Sequence, residues 1–192
     1  MVLRDYSATG VVSVCTLAAN RTRSETERVF GLFLNTLILR SDLAGENSFR
    51  EAARKVRATA LAAYAHQGLP FELLLRELEK EPGVSRTSLA RALFVFENSE
   101  DAQSEANGIQ ISSATLEGGG GNAVSQATNF YLILAASQSP DGIQLTLRYR
   151  AGRFERGVIQ RQLRDLTALI ESGITDSPLP QVGRAISTHS VK

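Results

Sequence analysis

Two histidines, one cysteine and an ordinary supply of serines and carboxylates are the side chains from which this 192-residue chain can build chemistry. His66 is the most pointed of them. It stands in AYAHQGLPFELLL, Ala63 to Leu75, beside Gln67 and ahead of Pro70, whereas His189 lies near the end of the chain. An imidazole so placed has three uses: general base, metal ligand, or hydrogen-bonding clasp between two helices. A metal site needs companions, and two distant histidines with a lone Cys15 write neither HExxH nor a Cys/His cluster. No G-x-S-x-G elbow offers a nucleophile, and no G-x-G-x-x-G follows a strand to open a helix. Gly118 to Gly121 lacks the lysine and helix of a phosphate cradle and reads as a connector. A triad assembled around His66 from distant residues stays open. The clasp has more behind it, because a helix ending at this point leaves orphan carbonyls that an imidazole N–H can satisfy. Gln67 would add donors there, and Glu72 would favour the first turn of the next helix.

The elements that position this corner follow from periodicity. VVSVCTLAA, Val11 to Ala19, is an unbroken apolar run with β-branched residues and predicts a strand buried on both faces. A polar segment follows, with Ser24 as a cap for a short helix, and then FGLFLNTLILR, Phe30 to Arg40, predicts a second strand. Ser48 with Glu51 writes a capping box, and Phe49, Ala52, Val56, Ala60 and Ala63 recur at helical spacing to about His66. Gly68 fits a left-handed stop and Pro70 the first turn of the next helix, which carries Phe71, Leu74, Leu75 and Leu78 on one side. Ala90 to Asn98 and Gly108 to Glu117 read as strands. NFYLILAAS and GIQLTLRYR, joined by QSPDG, predict a hairpin, and an amphipathic helix spans about Glu155 to Ser172. The expected class is α/β (an α+β sandwich), one mixed sheet with helices packed against it, over residues 1–175, with 176–192 as a flexible tail.

Composition narrows the function classes. Apolar residues make up 43% and charged residues 21%, and 21 basic residues against 20 acidic leave a net charge of +1. Such a balance provides no global field for nucleic acid or an anionic membrane, so neither is expected as a partner. The basic run Arg50, Arg54, Lys55, Arg57 reads as a solvated helix face. A single cysteine excludes an internal disulfide, and no run reaches the roughly 18 apolar residues of a membrane span, so a reducing cytoplasm is the expected setting. Cys15 itself reads as a small buried hydrophobe.

At the corner the chain resembles a known family. HQGLPFE, with His66, Gln67, Pro70, Phe71 and Glu72, is similar to the HQxxPFE motif of condensation domains from nonribosomal peptide synthetases. FGLFLNTLILR resembles the family's GxFVNTxxxR motif at Gly31, Phe33, Asn35, Thr36 and Arg40, and GVSRTSL resembles RDxSRNPL at Ser85, Arg86 and Leu89. The opening RDYSATGVVSVCTLAANRTR looks like the strand leading into the family's A-x-R turn, and LRYRAGRFERGVIQRQLRDLTALI like its closing strand and helix. The likeness covers roughly residues 3–180. Three departures stand out: Ser88-Leu89-Ala90-Arg91 replaces P-L-F-Q, Tyr131 replaces the aspartate of an F-D-L segment near the tunnel, and Asn20 stands where glycine often precedes the arginine of the turn.

The resemblance implies a chloramphenicol-acetyltransferase-like half-domain, the second of two lobes that line a tunnel. The catalytic HHxxxDG motif belongs to the first lobe and is absent from this sequence. His66 and its neighbours, with Gly31, Thr36, Arg40, Ser85 and Arg86, would then be framework, with no catalytic residue and no metal in the chain. Asn35 is the candidate polar side chain near the tunnel, with a bond to a neighbouring strand as its alternative, and Asn35-Thr36 favours condensation over epimerization. The implied partners are an amino-terminal condensation lobe and carrier proteins, whose phosphopantetheine arms bring thioester donor and amine acceptor, with no cofactor bound directly. A free-standing module that docks a carrier protein or an enzyme, a self-association through the exposed lobe face, and a complete acetyltransferase-like enzyme using His66 as base are the competing expectations.

Overall fold

The computed structural model describes residues 3, 9–45, 48–84, 89, 91–97, 103–106, 109–112, 130–139 and 142–174. The apolar run predicted as the first strand forms β1 (Val11–Ala18). It pairs antiparallel with β2 (Asn35–Asp42). On its other side β1 pairs parallel with β3 (Ala92–Glu97), which pairs parallel with β6 (Leu132–Ser139). β7 (Gly142–Tyr149) closes the expected hairpin with β6, and the sheet order is β2-β1-β3-β6-β7. A separate two-stranded ladder joins β4 (Gln103–Ala106) to β5 (Ile109–Ser112), so the strand expected over Gly108 to Glu117 is described only over its first part and has a partner that periodicity did not signal. The glycine run, Ser85, Arg86 and the tail from 176 lie outside the described residues.

Among the described residues four helices accompany the sheet: α1 (Ser24–Glu27), α2 (Phe49–Ala65), α3 (Phe71–Leu78) and α4 (Arg156–Ile174). Arg23, not Ser24, is the N-cap of α1, and it makes no side-chain cap bond. Ser48 caps α2 as read, its hydroxyl accepting the Glu51 N–H at 3.2 Å. The basic run Arg50, Arg54, Lys55 and Arg57 is exposed along this helix. Gly68 does not take the left-handed conformation; among the described glycines that belongs to Gly10, Gly45, Gly83 and Gly142. The chain leaves α2 instead through the His66 C-cap at φ −114° and ψ 20°.

The two faces of the sheet differ. Leu37, Leu39 and Ser41 of β2, with Val12 and Val14 of β1, turn toward α2 and α4, where the Ser41 hydroxyl meets that of Thr59 at 3.3 Å. An apolar cleft of about 270 Å³ remains between sheet and helices, lined by Val12, Val14, Phe94 and Leu134, with the buried Gln162 carbonyl oxygen unpartnered among the described residues. On the opposite face Cys15, Leu93 and Ile133 form a buried cluster, against which Leu17, Ile38, Val95, Phe130 and Phe71 of α3 pack. Away from this cluster that face carries exposed polar side chains, Gln144, Thr146 and Arg148 on β7 and Arg40 on β2.

Burial pushes the Cys15 thiol from 9.0 up to about 11, since the thiolate would lose its hydration there. The folded thiol holds its proton more tightly than the unfolded one. Its contribution to stability is therefore complete below pH 9.0 and drains away as pH rises toward about 11. Iodoacetamide at about pH 8 is expected to spare Cys15 until denaturant is added; rapid labelling of the folded chain would contradict this. A second close contact joins the helices: a Cβ on Gly173 would lie 2.6 Å from two Phe49 ring carbons. Gly173→Ala is expected to cost about 1–3 kcal/mol by overpacking, read from the urea midpoint.

Candidate functional site

Asn35 is the first residue of β2, opposite Ala18, and its side chain leaves the strand for the corner between α2 and α3. Its amide nitrogen donates to the Gln67 carbonyl at 2.7 Å and to the Leu69 carbonyl at 2.7 Å. Its oxygen accepts the Phe71 N–H at 3.1 Å. An asparagine has two N–H donors, so both are committed. The acceptor does a second job. Pro70 is the N-cap of α3, one position ahead of the first-turn place expected for it, and has no side-chain oxygen to offer the free N–H groups of the helix. Asn35, 36 residues upstream of Phe71, takes over part of that role. The Pro70 carbonyl accepts from Leu73 and Leu74 at 3.1 Å each, and Glu72 occupies the acidic first turn. Held this way, α3 drives Phe71 against the core cluster and buries Leu75 completely.

This corrects the reading of the histidine. The His66 imidazole is exposed and makes no hydrogen bond to any described residue; the clasp is the Asn35 amide. The contribution of His66 is its backbone, whose N–H donates to Ala63 and whose carbonyl accepts from Leu69, at 3.0 Å each. Gln67 likewise enters through its carbonyl and not through its side-chain donors. The alternative partner foreseen for Asn35, a neighbouring strand, is replaced by the helix corner. Thr36 and Arg40 alternate with these inward positions and lie on the sheet face opposite α2, Arg40 beside Ser13 and exposed.

The largest surprise lies just before β2. The strand expected from Phe30 begins only at Asn35, opposite the last residue of β1, and the segment before it is bound by Arg21. Its guanidinium donates to the carbonyls of Thr26, of Val29 at 2.9 Å and of Gly31 at 3.2 Å, and stands 4.3 Å from the centre of the Phe33 ring. Carbonyls bound to a guanidinium do not enter a ladder in the same way. The preceding Asn20 has φ 52°, a left-handed backbone that asparagine tolerates better than most residues with a Cβ, which explains how it replaces the usual glycine of the turn. The segment so held exposes its apolar side chains: Phe30 is 105% exposed and Leu32 86%. Sequence alone marked the turn but not the reach of Arg21, whose acceptors lie five to ten residues away.

Near the far edge of the sheet, Tyr131 precedes β6. Its N–H donates to the Arg91 carbonyl at 2.8 Å, its carbonyl accepts from the Arg150 N–H at 3.0 Å, and the guanidinium carbons of Arg150 and Arg153 lie 5.3 and 5.1 Å from its ring centre. Among the described residues no group of three or more His, Cys, Asp or Glu side chains could hold a metal, and no helix is long and apolar enough to cross a membrane.

Asn35→Ala is expected to destabilise the chain by about 2 kcal/mol, since it orphans a helix N–H and two corner carbonyls, while His66→Ala should stay within about 0.5 kcal/mol. Urea titrations that rank the two in the opposite order would refute the clasp.

The fold matches solved structures, a condensation domain among them. The starter condensation domain of rhizomide synthetase superposes with a TM-score of 0.71 at 16% identity, covering 96% of this chain and 40% of that one. SgcC5 of Streptomyces globisporus gives 0.65 at 23% identity, covering 92% and 41%. In sequence, a component of the linear gramicidin synthase of Brevibacillus parabrevis is 38% identical over 167 residues, 87% of this chain but 3% of that protein. Malpinin synthetase of Mortierella alpina is 32% identical over 179 residues, again a small fraction, 2%, of its length. The family described as Condensation domain matches residues 1–186, and the chain, with its mixed five-stranded sheet and flanking helices, belongs to that family.

Proposed function

We propose that this chain is the carboxy-terminal lobe of a condensation domain, spanning residues 1–175, and that it supplies one wall of a tunnel in which an amide forms between carrier-bound substrates. The observation that carries this reading is the pairing of a well-braced corner with uncovered apolar surface beside it. Val29, Phe30, Leu32 and Leu34 are all exposed on a segment that Arg21 and Asn35 hold at both ends. Contiguous apolar surface of this kind marks an interface, and here it adjoins the family's own motif. The relatives support a larger assembly, since the chain spans 40% of the rhizomide synthetase starter condensation domain and 41% of SgcC5.

In the assembled domain an amine on one carrier's phosphopantetheine arm attacks the thioester carbonyl on another. The C–N bond forms, the C–S bond breaks, and the thiolate leaves with the proton that the amine gives up. This lobe contributes orientation and exclusion of water, which by themselves lower an acyl-transfer barrier substantially. Proton handling falls to the HHxxxDG motif of the companion lobe. The His66 imidazole is not assigned to it. Asn35 acts on the reaction only by holding the wall in place, since both its donors are spent.

The test is reconstitution. This chain, an amino-terminal lobe bearing HHxxxDG, and two loaded carrier proteins are expected to give amide only when all are present. Phe30→Asp, at an exposed side chain, should lower co-purification of the lobes without lowering the thermal midpoint of this one. Amide formation by the chain alone would overturn the reading. So would a stable two-lobe complex that binds both carriers and forms no amide, which would make the chain a docking module.

A further inference from the structure

The helix-covered face of the sheet is the less completely packed one. Val14 of β1, Leu39 of β2, Phe94 of β3 and Leu134 of β6 line the cleft beneath α2 and α4, yet each is only half-buried. On the opposite face Cys15, Leu93 and Ile133 are buried outright. The cleft holds about 270 Å³, close to the lower end of the roughly 300–1,000 Å³ of ligand pockets. Helix α4 walls it with a stripe of Ile159, Gln162, Leu166 and Leu169 at helical spacing. Gln162 breaks the apolar character of that stripe. It is 7% exposed and lines the cleft, and its carbonyl oxygen has no hydrogen-bond partner among the described residues.

We propose that this cleft is a binding site for a small neutral alcohol, whose alkyl body packs on Val14, Phe94 and Leu134 while its hydroxyl donates to the Gln162 oxygen. A buried acceptor without a donor carries a desolvation cost that an incoming O–H removes. Water is a poor candidate for that donor, because a buried water is held by about two to four polar groups. Among the described side chains that line the cleft only Ser41 and Gln162 are polar, and the Ser41 hydroxyl already meets that of Thr59. None of those side chains is charged, so a carboxylate or an ammonium would lose its hydration with nothing to replace it. A hydrocarbon or an ether would fill the space and leave the oxygen unpaired. The site lies apart from the Asn35 corner, which sets Phe71 against the cluster on the other face, and so does not rest on the tunnel reading.

Binding is measured on the 192-residue chain by methyl NMR. The probes are n-hexanol, its isomer methyl pentyl ether, which lacks the donor, and hexanoate, which carries a charge. Hexanol should move the methyl signals of Val14, Leu134 and Leu166 and leave those of Leu17 and Ile38, on the far face, in place. It should bind about fivefold to tenfold more tightly than the ether, the worth of one neutral hydrogen bond, and hexanoate should not bind. Gln162→Leu removes the acceptor at similar volume; it should erase the preference for the alcohol and keep the apolar affinity. Val14→Phe fills the cleft and should abolish binding of both. If a variant fails to fold, the ranking of the three probes on the unsubstituted chain still decides. The site is refuted if no probe moves the cleft methyls, which would leave Gln162 to water, if ether or hexanoate binds as tightly as hexanol, or if Gln162→Leu keeps the preference. Such a result would leave the half-domain reading standing, since amide formation in the two-lobe mixture does not read this cleft.

Discussion

A carboxamide with every donor committed holds the corner between β2, α2 and α3 together. Asn35 joins the start of β2 to the turn between α2 and α3 through two carbonyls and one helix N–H. The reason it falls to this residue is local. The sharp turn between two helices requires Pro70 to set the backbone, and proline at the cap position brings no side-chain acceptor. Some other group must meet the free N–H and the turn's carbonyls, and only an amide offers donors and an acceptor in one plane. Aspartate would lack the donors and leucine would lack both. The placement of Phe71 in the core and the complete burial of Leu75 both depend on that corner keeping its shape.

The same economy governs the segment before β2. One guanidinium collects three carbonyls and a ring face, and one of those carbonyls, that of Gly31, lies in the stretch expected as strand. Apolar side chains that would otherwise be strand residues are left pointing at solvent. Burying Phe30 and Leu32 against another surface would recover about 1.5–3 kcal/mol each. That gain is what a partner surface of the proposed kind would draw on. Asn35 and Arg21 therefore act in sequence: one fixes the corner, the other aims the lip beside it.

At the ends of β3, β6 and β7, neighbours are set across strands and not along them. Arg91, Tyr131 and Arg150 lie far apart in the chain, yet backbone hydrogen bonds join them side by side. The near-neutral charge of the whole chain conceals this concentration, since composition averages over faces.

Much of the architecture was legible beforehand because it follows from nearest-neighbour physics. Val11 to Ala18 is a strand by its apolar β-branched run, Ser48 starts a helix by offering its hydroxyl to Glu51, and the β6–β7 pairing follows from two apolar runs flanking a tight turn. The importance of the His66–Glu72 corner was also legible, as was the burial of Cys15. The identity of the clasp was not. His66 had the right chemistry and sequence neighbours, yet its imidazole faces solvent while an asparagine more than thirty residues away does the bonding. Periodicity likewise could not separate a strand from an interface segment over Phe30 to Leu34, since both are apolar. Local pattern determines which backbone each stretch prefers; only the folded sheet decides which distant donors and charges come within bonding distance of one another, because that depends on register between strands whose order the chain does not spell out.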